Sequence, residues 1–268
     1  MALSLSSTRL DGQRSPYSGA AAVFARNLTV FRRIWKLFLA GLAEPFLWLA
    51  SIGVGVGALV SGFEVGGREL SYAEFVAPAL LASTALNGAI MDSTFNVFFK
   101  LKYERVYDAM LATPLTTGDI VRGDLAWATT RGAVYSAVFL LAMAALGLTQ
   151  SWWVLLALPA TVLVSLATGA VGFALTTFMR SWQDFEYIQL VMMPMVLFSG
   201  IFFPVTSYPD ALRWVIELTP MYRAVALVRE LSTGAPGWAS VASVVYLLVM
   251  AAIGVAIAAR RLDRVMRP

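Results

Sequence analysis

Hydrophobic positions dominate the chain in long unbroken runs, and charged residues gather in short groups between them. Read at helical period, the runs predict membrane helices over about 37–60, 72–98, 120–148, 152–178, 187–203 and 239–259. The fifth is short and ends at Pro204. Ahead of the first run, residues 20–36 alternate differently. Phe24, Leu28, Phe31, Trp35 and Phe38 form one stripe, and Arg26, Arg33 and Lys36 the opposite one. That pattern predicts a helix lying in the membrane interface. Residues 1–19 are polar, lack the apolar core of a signal peptide, and read as a flexible tail.

The longest charged interruption in the first two-thirds of the chain runs from Lys100 to Asp124. It opens with an amphipathic helix predicted over 101–112. Tyr103, Val106, Tyr107, Met110 and Leu111 take one side, and Lys102, Arg105, Asp108 and Ala109 the other. Pro114 stops it, because the residue before proline is pushed out of helical conformation. Thr116-Thr117-Gly118-Asp119 then reads as a capping box that starts the third long helix. Two roles suit a short surface helix here: a platform on which something docks, or a helix resting on lipid headgroups.

The segment 204–238 is too apolar for an exposed loop and too broken for a span. Pro204, Pro209, Pro220 and Pro236 punctuate it, and Tyr222 opens its second helical pattern. Two short helices are expected, about 210–218 and 222–231, dipping back into the outer leaflet. They would act either as a gate or as a plain external cap.

Composition sharpens the class. The chain is 59% hydrophobic and 13% charged, with mean hydropathy +0.73, so an all-α membrane protein is expected. It has no cysteine and no histidine, which removes disulfides, thiolate chemistry and imidazole bases. Neither a nucleotide-cradling glycine loop nor a nucleic-acid footprint is present. Fifteen Lys and Arg flank one set of span ends and four the other, so the positive-inside rule puts both termini and the 101–112 helix in the cytoplasm. Charges inside spans are costly and therefore face protein or a pathway. Glu44, Asp92 and Arg131 are the three, either as a gate or as mutual partners that fix packing. A Glu44–Arg131 pair across the first and third spans is expected. Gly53, Gly55 and Gly57 suggest a smooth face for close packing in the first span.

Three stretches carry a family resemblance: E-P-F-L-W-L from Glu44, P-L-T-T-G-D-I-V-R-G-D-L-A-W from Pro114, and L-F-S-G-I-F-F-P-V with the later L-T-P-M-Y. Through them the chain resembles the membrane subunit of ABC type-2 exporters, in the group of NodJ and the daunorubicin-resistance permeases. The resemblance implies a six-span permease in the cytoplasmic membrane, working as a homodimer or paired with another permease. It implies two cytoplasmic ATPase subunits that bind ATP and Mg, and no cofactor or metal in this chain. It implies an amphipathic cargo such as a lipid-linked saccharide, polyketide or drug. It also implies ATPase contact through the segment before the first span and through the cytoplasmic helix, with Tyr103, Arg105, Tyr107, Asp108 and Leu111 as coupling residues. Thr116, Gly118 and Asp119 would then form a cap and gate. An ion-coupled carrier and a membrane-embedded lipid-modifying enzyme are the alternatives.

Overall fold

A computed structural model describes residues 16–33, 35–57, 63–65 and 68–266. Ten α-helices are found among them. Helix α1 is Pro16–Arg33, α2 Trp35–Gly55, α3 Tyr72–Met91, α4 Val106–Leu111 and α5 Thr117–Ala145. Helix α6 is Ala157–Thr176, α7 Asp184–Phe198, α8 Asp210–Glu217, α9 Pro220–Thr233 and α10 Trp238–Met266. The expected tail at 1–19 falls mostly outside the described residues, and its last four already belong to α1. The end of the expected first span, 58–60, is also outside them.

The loop after α2 is not irregular throughout. Strands β1 (Phe63–Val65) and β2 (Arg68–Leu70) pair antiparallel, Phe63 opposite Leu70. Ser71 and Glu74 then cap α3 reciprocally, each holding the other's backbone N–H.

Helix α3 is the buried axis of the molecule. Phe75, Ala77, Ala79, Leu81, Ala82, Ala85, Leu86 and Ala89 are all within 1% of complete burial. Helices α2, α5, α6 and α9 surround it, and α10 packs on α6. In lipid the driving force for such packing is close fit rather than escape from water, and small residues allow the fit. A Cβ placed on Gly172 of α6 would sit 2.2 Å from Ser93 Oγ, and one on Gly254 of α10 2.9 Å from the Ala170 backbone. A Cβ on Gly132 of α5 would sit 2.3 Å from Ser165 Oγ. The expected glycine face of α2 is less engaged: Gly53 looks at Ala73 at 3.6 Å, but nothing lies within 4 Å of Gly55.

Four helical stretches are long and apolar enough to cross a membrane, among the described residues: Tyr72–Tyr103, Thr117–Ala145, Trp152–Thr176 and Trp238–Met266. Helices α2 and α7 occupy the places of the expected first and fifth spans and lie outside this set. Helix α7 has 15 residues, about 22 Å, against a hydrocarbon core of about 30 Å. The segment after Pro204 forms α8 and α9, which differ sharply. Met221, Ala224, Val225, Leu227, Val228 and Leu231 of α9 join the core. Helix α8 buries only Ile216 and leaves Leu212, Trp214 and Val215 exposed.

Candidate functional site

The charged stretch between the second and third long helices does not fold as one amphipathic helix. Helix α3 continues through two π-helical segments, Asp92–Asn96 and Phe99–Tyr103, before it stops. Arg105 then takes φ 49 and ψ 34, the only non-glycine residue with positive φ among the described residues. Such a conformation costs about 1–3 kcal/mol and persists only where the surroundings fix it. Its effect is to break the expected 101–112 helix and restart the chain as the six-residue α4.

That break turns Tyr107 inward. Tyr107 is completely buried, its ring nearly parallel to Phe173 at 6.4 Å, and its hydroxyl donates to Asp124 Oδ2 at 2.5 Å. The other carboxylate oxygen, Oδ1, accepts from Asn27 Nδ2 at 2.5 Å and from Lys100 Nζ at 2.8 Å. Lys100 also donates to Asn27 Oδ1 at 3.1 Å. Four elements therefore meet on one carboxylate: α1 through Asn27, the end of the α3 rod through Lys100, α4 through Tyr107 and α5 through Asp124. Burial, then the neighbouring Asp124 charge, pushes the Tyr107 phenol well above its ordinary range, so it stays a donor.

Helix α1 is seated to serve this network. It runs alongside α5, with Gly19 against Asp119, Val23 against Gly123, and Phe24 and Phe31 edge-on to Trp127. A Cβ on Gly123 would lie 2.5 Å from Val23 Cβ and 2.7 Å from Ala20 O, so glycine sets the approach. The helix thus rests on protein through Val23 and Asn27 as well as through Phe24 and Phe31 of the expected stripe.

A second ion pair, between half-buried Arg131 and buried Asp92, adjoins the first. Arg131 Nη1 meets Asp92 Oδ1 at 2.8 Å, Asn96 also donates to Asp92, and the Arg131 guanidinium lies 5.7 Å from the Tyr135 ring. The expected Glu44–Arg131 pair does not form; Glu44 is exposed on α2, one helix away, and Arg131 turns to α3 instead. A cavity of about 10 Å³ separates the two networks, bounded by Asp92, Lys100, Asp124 and Trp127. It holds at most about one water. No group of three potential metal ligands occurs among the described residues.

The other expected site residues scatter. Tyr103, Arg105 and Asp108 are exposed and Leu111 is half-buried, so an outward-facing platform exists, but Tyr107 is not part of it. Thr116 and Asp119 form the capping box of α5, Thr116 Oγ1 to Asp119 Oδ2 at 2.7 Å, with Gly118 in its first turn. Thr117 Oγ1 ties that turn to Asp263 of α10 at 3.1 Å. At the far end of the bundle, Pro209 precedes α8 and Pro220 takes the first position of α9, where a missing N–H is harmless. Pro204 leads into a 3₁₀ turn, and half-buried Tyr222 lies beside Gly200. Arg229 clasps this end: it donates to Gly200 O at 2.7 Å and stacks 3.9 Å over Phe75.

Asn27, Lys100 and Asp124 were unforeseen. The signal lay in their spacing: Asp124 falls four residues from both Ile120 and Ala128, and Asn27 four from both Val23 and Phe31, on apolar faces. A polar residue on a buried stripe needs a partner.

Comparison with known proteins gives one family match, to the ABC-2 type transporter family over residues 20–233. The chain is 35% identical to "Nodulation protein J" of Rhizobium leguminosarum bv. trifolii over 217 residues, 80% of this chain and 81% of that one. It is 31% identical to the protein of the same name from Rhizobium leguminosarum bv. viciae over 253 residues, 91% of this chain and 95% of the relative. Similarity extends to "Inner membrane transport permease YadH" of Escherichia coli (strain K12), 23% identical over 203 residues, 75% of this chain and 77% of that one.

Proposed function

The chain belongs to the ABC-2 type transporter family, and on that footing we propose that it is the membrane subunit of an ATP-driven exporter. It carries an amphipathic substrate, of the class of lipid-linked saccharides, polyketides or drugs, outward across the cytoplasmic membrane. Two permease chains, identical or paired, sit above two cytoplasmic ATPase subunits that bind ATP and Mg²⁺. Helix α2 and α7, the latter extended by the turn to Pro204, join the four long helices to make six spans, and both termini are cytoplasmic. The positive-inside count supports that orientation.

The observation that carries this reading is the convergence of α1, α3, α4 and α5 on the Asp124 carboxylate. A partner pressing on exposed Tyr103, Arg105 and Asp108 moves α4, and Tyr107 passes that displacement to α5. Lys100 passes it to the central rod, and Asn27 keeps α1 in step. Packed side chains and hydrogen-bond networks of this kind carry energetic coupling between a surface and the spans.

The test is co-reconstitution with an ABC ATPase subunit. Asp108→Arg should abolish co-purification of the ATPase while the permease keeps its thermal stability. Tyr107→Phe should retain co-purification and lose substrate-stimulated hydrolysis. Normal binding and hydrolysis in Asp108→Arg would remove α4 as the docking element.

A further inference from the structure

An open apolar groove of about 480 Å³ runs between α6 and α10 on the outside of the bundle. Leu175 and Phe178 line one wall, and Val249, Met250, Ile253 and Ile257 the other. From Tyr246 to Ile257 the groove follows α10 for about 16 Å, half of a bilayer core of about 30 Å. Directly beyond Ile257, at helical spacing on the same stripe, come Arg260, Arg261 and Arg264. Arg261 lies 4.0 Å over the ring of Phe178, the last aromatic of the groove. Among the described residues, its buried Nε has no hydrogen-bond partner and no carboxylate lies within 4.0 Å of its guanidinium. The nearby acid, Asp263, accepts from Thr117 of α5 at 3.1 Å.

We propose that this groove holds one acyl chain of an anionic phospholipid of the inner leaflet, with its phosphate on Arg261 and the flanking Arg260 and Arg264. The dimensions match one leaflet, and the charge at the end of the groove matches a phosphate at headgroup depth. Basic pockets between membrane helices on the cytoplasmic side take anionic headgroups for this reason. Bound there, the lipid staples α6 to α10 at the end of the bundle where Thr117 ties α10 to α5. The proposal rests on the orientation given above, with the end of α10 in the cytoplasm.

Native mass spectrometry of the full chain, extracted from membranes and offered vesicle-derived phosphatidylglycerol or phosphatidylcholine, tests it. One phosphatidylglycerol should be retained in preference to phosphatidylcholine. Arg261→Gln should weaken retention about fivefold, the effect of losing one cationic contact, and Arg261→Lys should restore most of it. Ile253→Trp, at an exposed groove position, should fill the groove and expel the lipid without unfolding the chain. Equal retention of the two lipids, or retention unchanged in Ile253→Trp, overturns the proposal. Loss of a dimer in Ile253→Trp without loss of lipid also overturns it and assigns the groove to a second copy. ATPase binding and coupled hydrolysis, measured in the same variants, report on the exporter reading separately. A cysteine at Arg264→Cys that labels only from outside overturns the orientation and the lipid site together.

Discussion

Replacing Tyr107 with Phe removes one oxygen from the centre of the Asp124 network and leaves the ring stacked near Phe173. The lost bond is the 2.5 Å donation to Asp124 Oδ2. That oxygen has no other hydrogen bond among the described residues, since Asn27 and Lys100 both serve Oδ1. A hydrogen bond to a buried charge is worth about 1.5–3 kcal/mol. With about 2–4 °C of melting temperature per kcal/mol for a chain of this size, the fall should centre near 6 °C. Thermal unfolding of the purified protein in detergent measures it. A double-mutant cycle with Asp124→Asn then isolates the pair, and strong non-additivity is expected. The pH dependence has a definite sign. Because the folded phenol ionises above its ordinary range, its contribution is complete below about pH 10 and is lost as the pH rises further. Tyr107→Phe should flatten that alkaline decline. A melting temperature within about 1 °C of the parent, or strictly additive variants, would refute the idea that this hydroxyl ties α4 to α5.

Three further outcomes follow from the geometry. Arg131→Met strands the Asp92 carboxylate, whose remaining partner is Asn96, and should cost about 3 kcal/mol in detergent unfolding; adding Asp92→Asn should recover most of that, and no recovery would deny the pair. Asp184 holds the backbone N–H groups of Arg180 and Ser181 at 2.6 and 3.1 Å, which depresses its carboxyl below the usual range. The protection is therefore present above the ordinary aspartate value of about 4 and lost as the pH falls through the depressed one, so the protection factors of those two amides, taken relative to their intrinsic exchange rates, should fall on acidification, and Asp184→Asn should abolish that pH dependence. Single cysteines at Asp210 and at exposed Ala235 should both react with an impermeant thiol reagent from outside intact cells; Gly234 is unsuitable, since its φ of 79 and the Ser151 Oγ 2.6 Å from a built Cβ leave no room. Labelling of either only from within would mean that α8 and α9 traverse the membrane.

Local signals in the sequence carried far. Pro114 and the Thr116–Asp119 box locate the start of α5 because both act through the nearest three or four residues. Prolines at 209 and 220 likewise mark where α8 and α9 begin. Of the three charges expected inside spans, Asp92 and Arg131 pair with each other, whereas Glu44 is exposed. Pairing depends on which helix faces which, and the π segments of α3 set where Asp92 points. The break at Arg105 had no glycine or proline to announce it; burial of Tyr107 against Phe173 and Asp124 pulls the chain into that conformation. Asp124 reads from the sequence as one of several charges at a helix entrance. Only packing against α1 turns that entrance into an interior.

The two π segments give the lower end of α3 a screw-thread property. Each accommodates one more residue than an α turn between the same hydrogen-bonded ends. One residue of an α-helix corresponds to about 100° of rotation and 1.5 Å of rise. Relaxing the upper segment to α geometry would therefore swing Lys100 a quarter-turn off Asp124 without unwinding the rod, and tightening it again would bring the ammonium back. Deleting Thr94 imposes that rotation covalently. Such a shortened chain would keep α3 whole while the side chains beyond residue 94 turn to the wrong neighbours.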